Sequence, residues 1–128
     1  MSDDLYELGV KTRAEVLGQG ELQYKNPERE EFEREFRRMT TEVAWGRIWG
    51  DDGLSRQQHS LNCLCILAVL NRPAEFKAHF RGAIRNGCTR AELKATLHQI
   101  AGYAGIPAGV EAFRIAAEVF RELKAEGS

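Results

Sequence analysis

The sequence predicts an all-α fold of about six helices. Three observations predict it. Only three prolines occur in 128 residues, and each stands where a helix would start or a loop would turn. Apolar residues recur at spacings of three and four along most of the chain. Between those stretches stand N-capping residues and glycine stops. At 128 residues, 43% hydrophobic and 29% charged, the chain suits one globular domain, 1–128.

The elements follow in order. A short helix is expected around Leu5 to Leu17, ended by Gly18. Asn26-Pro27 reads as an N-cap followed by the first helical position, with Glu28, Glu30 and Glu31 at the positive end of the dipole. That helix carries Phe32, Phe36 and Met39 on one side. After Ala44-Trp45-Gly46-Arg47-Ile48-Trp49, the turn Gly50-Asp51-Asp52-Gly53 breaks the pattern. Ser55-Arg56-Gln57-Gln58 has capping-box spacing and opens a helix to about Leu70. Its second half is apolar almost all round, which places it in a core or a subunit interface, with Leu67 a core residue. Pro73 begins the next helix, stopped near Asn86-Gly87. Thr89-Arg90-Ala91-Glu92 is a second capping box, whose helix runs to the Gly102–Gly105 region. Pro107 starts the last helix, with Phe113, Ala116, Ala117 and Phe120 as its apolar stripe.

Composition excludes several classes. The net charge of −1 leaves no positive excess for tracking a phosphate backbone, so no nucleic-acid partner is expected. The longest apolar run, Cys63 to Leu70, is far short of the ~20 residues of a membrane span. Asp3, Asp4 and Glu7 at the start do not fit a secretory signal. Three cysteines, two of them in the apolar run, suit reduced thiols in a cytoplasm better than a disulfide framework.

Candidate chemistry rests on histidine, glutamate and arginine. Glu75 and His79 are four apart on one helix, a spacing that lets a carboxylate orient an imidazole. His59 shares a face with Arg56 and Cys63, and His98 lies late in the fifth helix. No spacing matches a metal-binding pair, so no metal site is expected. Arg81, two residues from His79, is the candidate to turn inward and grip a carboxylate with its planar fork. Lys77 and Arg85 read more simply as a solvated basic face, and Arg72 adds a further basic group around this helix. Cys63 and Cys65 point about 200° apart on a helix and read as small core hydrophobes.

The run Ala44 to Trp49, the turn to Gly53-Leu54-Ser55-Arg56, Glu75-x-x-x-His79-x-Arg81, Asn86-Gly87-Cys88-Thr89-Arg90-x-Glu92 and Tyr103-Ala104-Gly105-Ile106-Pro107-Ala108 together resemble the 4-carboxymuconolactone decarboxylases. Gly9-x-x-x-Arg13 and Val16-Leu17-Gly18 resemble the opening segment of that family. The resemblance covers nearly the whole chain in the right order. It implies the all-α alkylhydroperoxidase-D-like fold, assembled as a homo-oligomer (trimer or hexamer). It also implies cofactor-free loss of carbon dioxide from a small carboxylated γ-lactone, in the protocatechuate/3-oxoadipate branch of aromatic catabolism. Under that implication His79 donates the proton and Glu75 holds it, with His59 beside them. Arg81 and Arg56 anchor the anionic substrate, and Trp45, Trp49, His98 and Tyr103 line the pocket.

Two positions depart from the family pattern: His59 stands where arginine is usual, and Ala95 where glutamate is common. They open an alternative, a diverged relative doing proton-transfer or lyase chemistry on another small acid or lactone, in biosynthesis for example. A thiol peroxidase is a further alternative, against which the Cys63-x-Cys65 spacing argues. A non-catalytic helical binding protein is the last.

Overall fold

A computed structural model describes residues 2–20 and 25–127. They form six α-helices and one π-helical segment, with no strand among the described residues. The helices are α1 (Ser2–Leu17), α2 (Pro27–Thr40), α3 (Arg56–Val69), α4 (Pro73–Arg85), α5 (Arg90–Ala104) and α6 (Ile106–Ala125); the π segment is Thr41–Ile48. The all-α expectation holds. Packing divides the chain into two compact units, Met1–Ser55 and Arg56–Ser128. No helix among the described residues is long and apolar enough to cross a membrane.

In the first unit α1 starts at Ser2 rather than Leu5 and ends as expected before Gly18, at φ +85°. Its buried face is Gly9, Thr12 and Val16. The Asn26 side chain accepts hydrogen bonds from the amides of Glu28 (2.9 Å) and Arg29 (3.3 Å) and so caps α2. The sequence did not announce the π segment that continues α2 without a break. Its wider turn brings residues four and five apart onto one face. Trp45 and Trp49 accordingly stack, 5.2 Å between ring centroids, and both are buried. Two glycines let α1 approach this segment. A Cβ on Gly46 would lie 2.6 Å from the Leu5 carbonyl oxygen, and one on Gly9 would collide with the Thr41 carbonyl.

The second unit is a four-helix cluster. Asn71, in the left-handed region at φ +57°, turns α3 into α4, and Pro73 opens α4. The core is built from Leu64, Phe76, Phe80, Leu93, Leu97, Ile100, Ile115 and Val119. Phe80 sits at its centre, parallel to Phe76 and edge-on to Phe120. The Thr89–Glu92 capping box forms in both directions. Two apolar expectations shift. On α3 only Ser60 and Leu64 are fully buried, Leu67 is half-buried, and Ile66, Val69 and Leu70 are exposed. On α6 the core face is Gly109, Ala112, Ile115, Ala116 and Val119. Phe113 and Ala117 of the expected stripe lie outside that face, because α6 is rotated to bring Glu118 and Glu122 against α4.

Those carboxylates clamp α4. Lys77 Nζ donates to Glu118 (2.5 Å) and Glu122 (2.7 Å), and the Arg81 guanidinium donates to Glu122 (3.1 Å) and Glu126 (2.9 Å). Hydrogen bonding from Lys77 holds the Glu118 carboxyl below its ordinary value.

Two outcomes test this packing. Replacing a helical glycine by alanine ordinarily stabilises by about 1 kcal/mol. Gly46→Ala should instead destabilise by about 1–3 kcal/mol, through overpacking against the Leu5 backbone. Thermal unfolding followed by the fluorescence of Trp45 and Trp49 reads the sign. The Glu118 contribution has a pH signature. Its lowered carboxyl adds stability that is present above its unfolded value of about 4.5 and is lost as pH falls through the folded value. Urea unfolding across acid pH should show a shallower decline for Lys77→Met than for the natural chain.

Candidate functional site

Helix α4 places Glu75, His79, Gly82 and Asn86 on one stripe, at spacings of four, three and four. This stripe runs against α3. Asn86 Nδ2 donates to Ser60 Oγ at 2.8 Å, and the Cys88 thiol donates to the Gln57 carbonyl at 3.7 Å. The end of α4 therefore meets the first turns of α3, and the two helices run antiparallel. Arg56 and His59, both half-buried, belong to those first turns. His79 lies seven residues back from Asn86, about 10 Å along the axis.

His79 is half-buried, and its Nδ1 is an enclosed atom with no hydrogen bond. Its imidazole acts electrostatically on Glu75. Glu75 accepts hydrogen bonds from Arg72, at 3.3 Å from Nε and 2.6 Å from Nη2. The Arg72 bond is the main cause that holds the Glu75 carboxyl below the usual carboxylate range, and His79 adds a smaller pull. Glu75 is thus an anion at neutral pH, one helical turn from the imidazole. The Glu75 side chain bonds Arg72, and the imidazole one turn on adds only a smaller electrostatic effect on its carboxyl. The i, i+3 spacing of Arg72 to Glu75 is the sequence signal for this pair.

Arg81 does not turn toward His79. Two residues along a helix rotate a side chain by about 200°, and the Glu122 and Glu126 carboxylates hold the guanidinium on the α6 side. Tyr103, 92% exposed, lines a hollow of about 440 Å³ with Arg72, Phe76 and Glu111. His98 is exposed on α5, its Nδ1 2.8 Å from the Lys94 carbonyl and its ring edge-on to Phe113. Trp45 and Trp49 are the stacked core of the first unit.

Burial raises the thiols of Cys63 and Cys65 above the ordinary range, and burial together with the Glu92 charge raises Cys88. A thiol so shifted stays protonated at neutral pH and is a poor nucleophile, which weighs against peroxidase chemistry. The α3–α4 hairpin thus carries an imidazole, a carboxylate and the guanidinium that bonds it. That set is suited to moving a proton and receiving an anion.

Comparison with known proteins gives the family. The sequence profile of the carboxymuconolactone decarboxylase family matches residues 34–118. The chain is 35% identical, over 92% of its length and 88% of the relative's, to a 4-carboxymuconolactone decarboxylase of Acinetobacter baylyi. It is 32% identical, over 96% of its length and 86% of the relative's, to a nitrosuccinic acid decarboxylase of Metarhizium robertsii. With its helices, its motifs and both relatives in accord, the chain belongs to the carboxymuconolactone decarboxylase family and is a carboxy-lyase.

Proposed function

We propose that the chain decarboxylates a small carboxylated γ-lactone, the leaving carboxylate standing on a carbon conjugated with the lactone. The observation that carries this reading is the 35% identity to a 4-carboxymuconolactone decarboxylase across 92% of the chain. The bond between that carbon and its carboxylate breaks, carbon dioxide leaves, and the electron pair enters the conjugated lactone. A proton then returns to carbon. His79 supplies that proton and is reprotonated by solvent. Glu75, an anion one turn away, stabilises the imidazolium form. Arg56, at the far end of the hairpin, receives the carboxylate that stays on the substrate. Arg81 serves as a tie between α4 and α6.

The second relative favours a neighbouring reading. A nitro group, like a conjugated lactone, holds the electron pair that departing carbon dioxide leaves behind, and succinic acid is likewise a dicarboxylic acid. The 32% identity to a nitrosuccinic acid decarboxylase therefore supports a nitro acid as the other substrate class for the same residues. His59, where the family more often has arginine, is the position that would separate the two. We further place the chain in the cytoplasm as a homo-oligomer, a trimer or hexamer. Its three free cysteines and the large apolar side chains it leaves exposed support that placement.

Purified protein mixed with 4-carboxymuconolactone should lose ultraviolet absorbance faster than the spontaneous reaction does, and faster than it consumes nitrosuccinate. Turnover no faster than the uncatalysed rate on either acid would remove the reading. His79→Ala should lower kcat by ~10²–10⁴-fold, the usual worth of a positioned general acid, with unchanged circular dichroism. An unchanged kcat takes His79 out of the mechanism. Arg56→Ala should raise KM more than it lowers kcat. Arg81→Ala should leave KM near its natural value and lower the melting temperature, and the opposite pattern would return Arg81 to the substrate.

A further inference from the structure

Two surfaces, one in each unit, have no role in the packing described so far. The first is α2. None of its residues is buried. Phe32, Phe36, Met39 and Val43 are 88%, 56%, 53% and 47% exposed. Their spacing of four, three and four makes one continuous stripe that runs from α2 into the π segment. A helix of 14 residues gains most of its stability from a packed face, and this apolar stripe is left exposed. One rim of the stripe is acidic: Glu28, Glu31 and Glu35 follow at spacings of three and four, all exposed.

The second surface is the groove between α5 and α6, a hollow of about 540 Å³. Leu97 and Ala116 floor it, Phe113 and Phe120 wall it, and the small side chains of Ala91 and Ala117 leave it open. Its α5 rim is basic. Arg90 lies over the Phe120 ring at 4.1 Å from the centroid, and Lys94 stands exposed one turn further on.

We propose that α2 of one copy of the chain docks in the α5–α6 groove of a second copy. The two surfaces match in length: Phe32 to Met39, Arg90 to Leu97 and Phe113 to Phe120 each span seven residues, about 10 Å of helix. They match in shape, aromatic knobs entering a groove with alanine-sized openings, as an amphipathic helix enters a receptor groove. They match in charge, since the acidic rim of α2 meets the basic rim of α5. Pairing two α2 stripes antiparallel would instead set acidic rim against acidic rim, which disfavours that arrangement. Donor and acceptor surfaces differ, so the contact is heterologous, and its repetition closes a ring when the rotation permits. The inference deepens the homo-oligomer reading above and rests on it; the catalytic reading is independent of it.

Sedimentation equilibrium of the full chain tests the contact. The natural chain should associate, and Phe36→Ala should raise the dissociation constant by about 30-fold or more, as expected for a buried aromatic anchor. Phe36 is exposed in the chain, so helical content should be unchanged. Lys94→Glu and Glu35→Lys should each weaken association, and the two changes combined should restore it. Should Lys94→Glu fail to fold, Arg90→Glu paired with Glu35→Lys takes its place in the same cycle. A natural chain that is monomeric throughout, including one whose α2 folds onto its own groove, overturns both the contact and the oligomer reading. An oligomer that is indifferent to Phe36→Ala, or a charge reversal without rescue, overturns the contact and leaves the oligomer standing.

Discussion

Helix α4 is gripped from two sides, and the direction in which His79 points depends on that double grip. On one side Lys77 and Arg81 meet the carboxylates of Glu118, Glu122 and Glu126. On the other Phe76 and Phe80 enter the core, and Asn86 bonds Ser60 of α3. A helix held by one face keeps some freedom to roll about its axis; one held by charges on one face and aromatics on another does not. Each exposed ion pair adds little by itself, but several that converge on two adjacent turns define a rotation. With that rotation fixed, the stripe of Glu75 and His79 lies against α3, and the guanidinium of Arg81 lies against α6.

That division of labour suits a reaction limited by charge. Decarboxylation asks a protein to keep a carboxylate poorly solvated until carbon dioxide leaves and then to deliver one proton. A partly buried imidazole within reach of an ionised carboxylate answers the second need. In the proposed mechanism Arg56 receives the substrate carboxylate, while Arg72 and Arg81 hold carboxylates of the chain itself. The proposed groups would serve a lactone or a nitro compound alike, because both acids leave their electron pair in a conjugated acceptor.

The surface tells a separate story. A chain of this size buries a limited share of its apolar area, and here the uncovered part is organised rather than scattered. Phe32, Phe36 and Met39 form a line on α2; Ile66, Val69 and Leu70 cluster at the end of α3; Tyr103, Ile106 and Val110 gather at the α5–α6 turn. Exposed apolar side chains ordered in this way are the kind of surface that the proposed contact between copies would cover. Tyr103 and Trp49 show why pocket walls are hard to assign from residue type: the first is almost fully exposed and the second is core, yet both are aromatics beside glycine.

The sequence by itself determined the helices and their ends. Asn26, Thr89, Gly18 and Asn86-Gly87 act on backbone groups within a few residues, and local chemistry of that kind is complete in the chain. It also determined the family, because the order of Glu75, His79, Asn86-Gly87 and Tyr103 through Pro107 needs no coordinates to be read. Tertiary structure decided the rotation of each helix, and with it the partners of Arg81, the core face of α6 and the exposure of α3 beyond Leu64. It also decided the π segment, where the stack of Trp45 on Trp49 and the approach of α1 at Gly46 favour a wider turn. These outcomes depend on which distant carboxylate or carbonyl lies opposite a side chain, and no local pattern carries that information. Arg81 is the plainest case: its spacing from His79 is written in the chain, while Glu122 and Glu126, more than forty residues away, determine where it points.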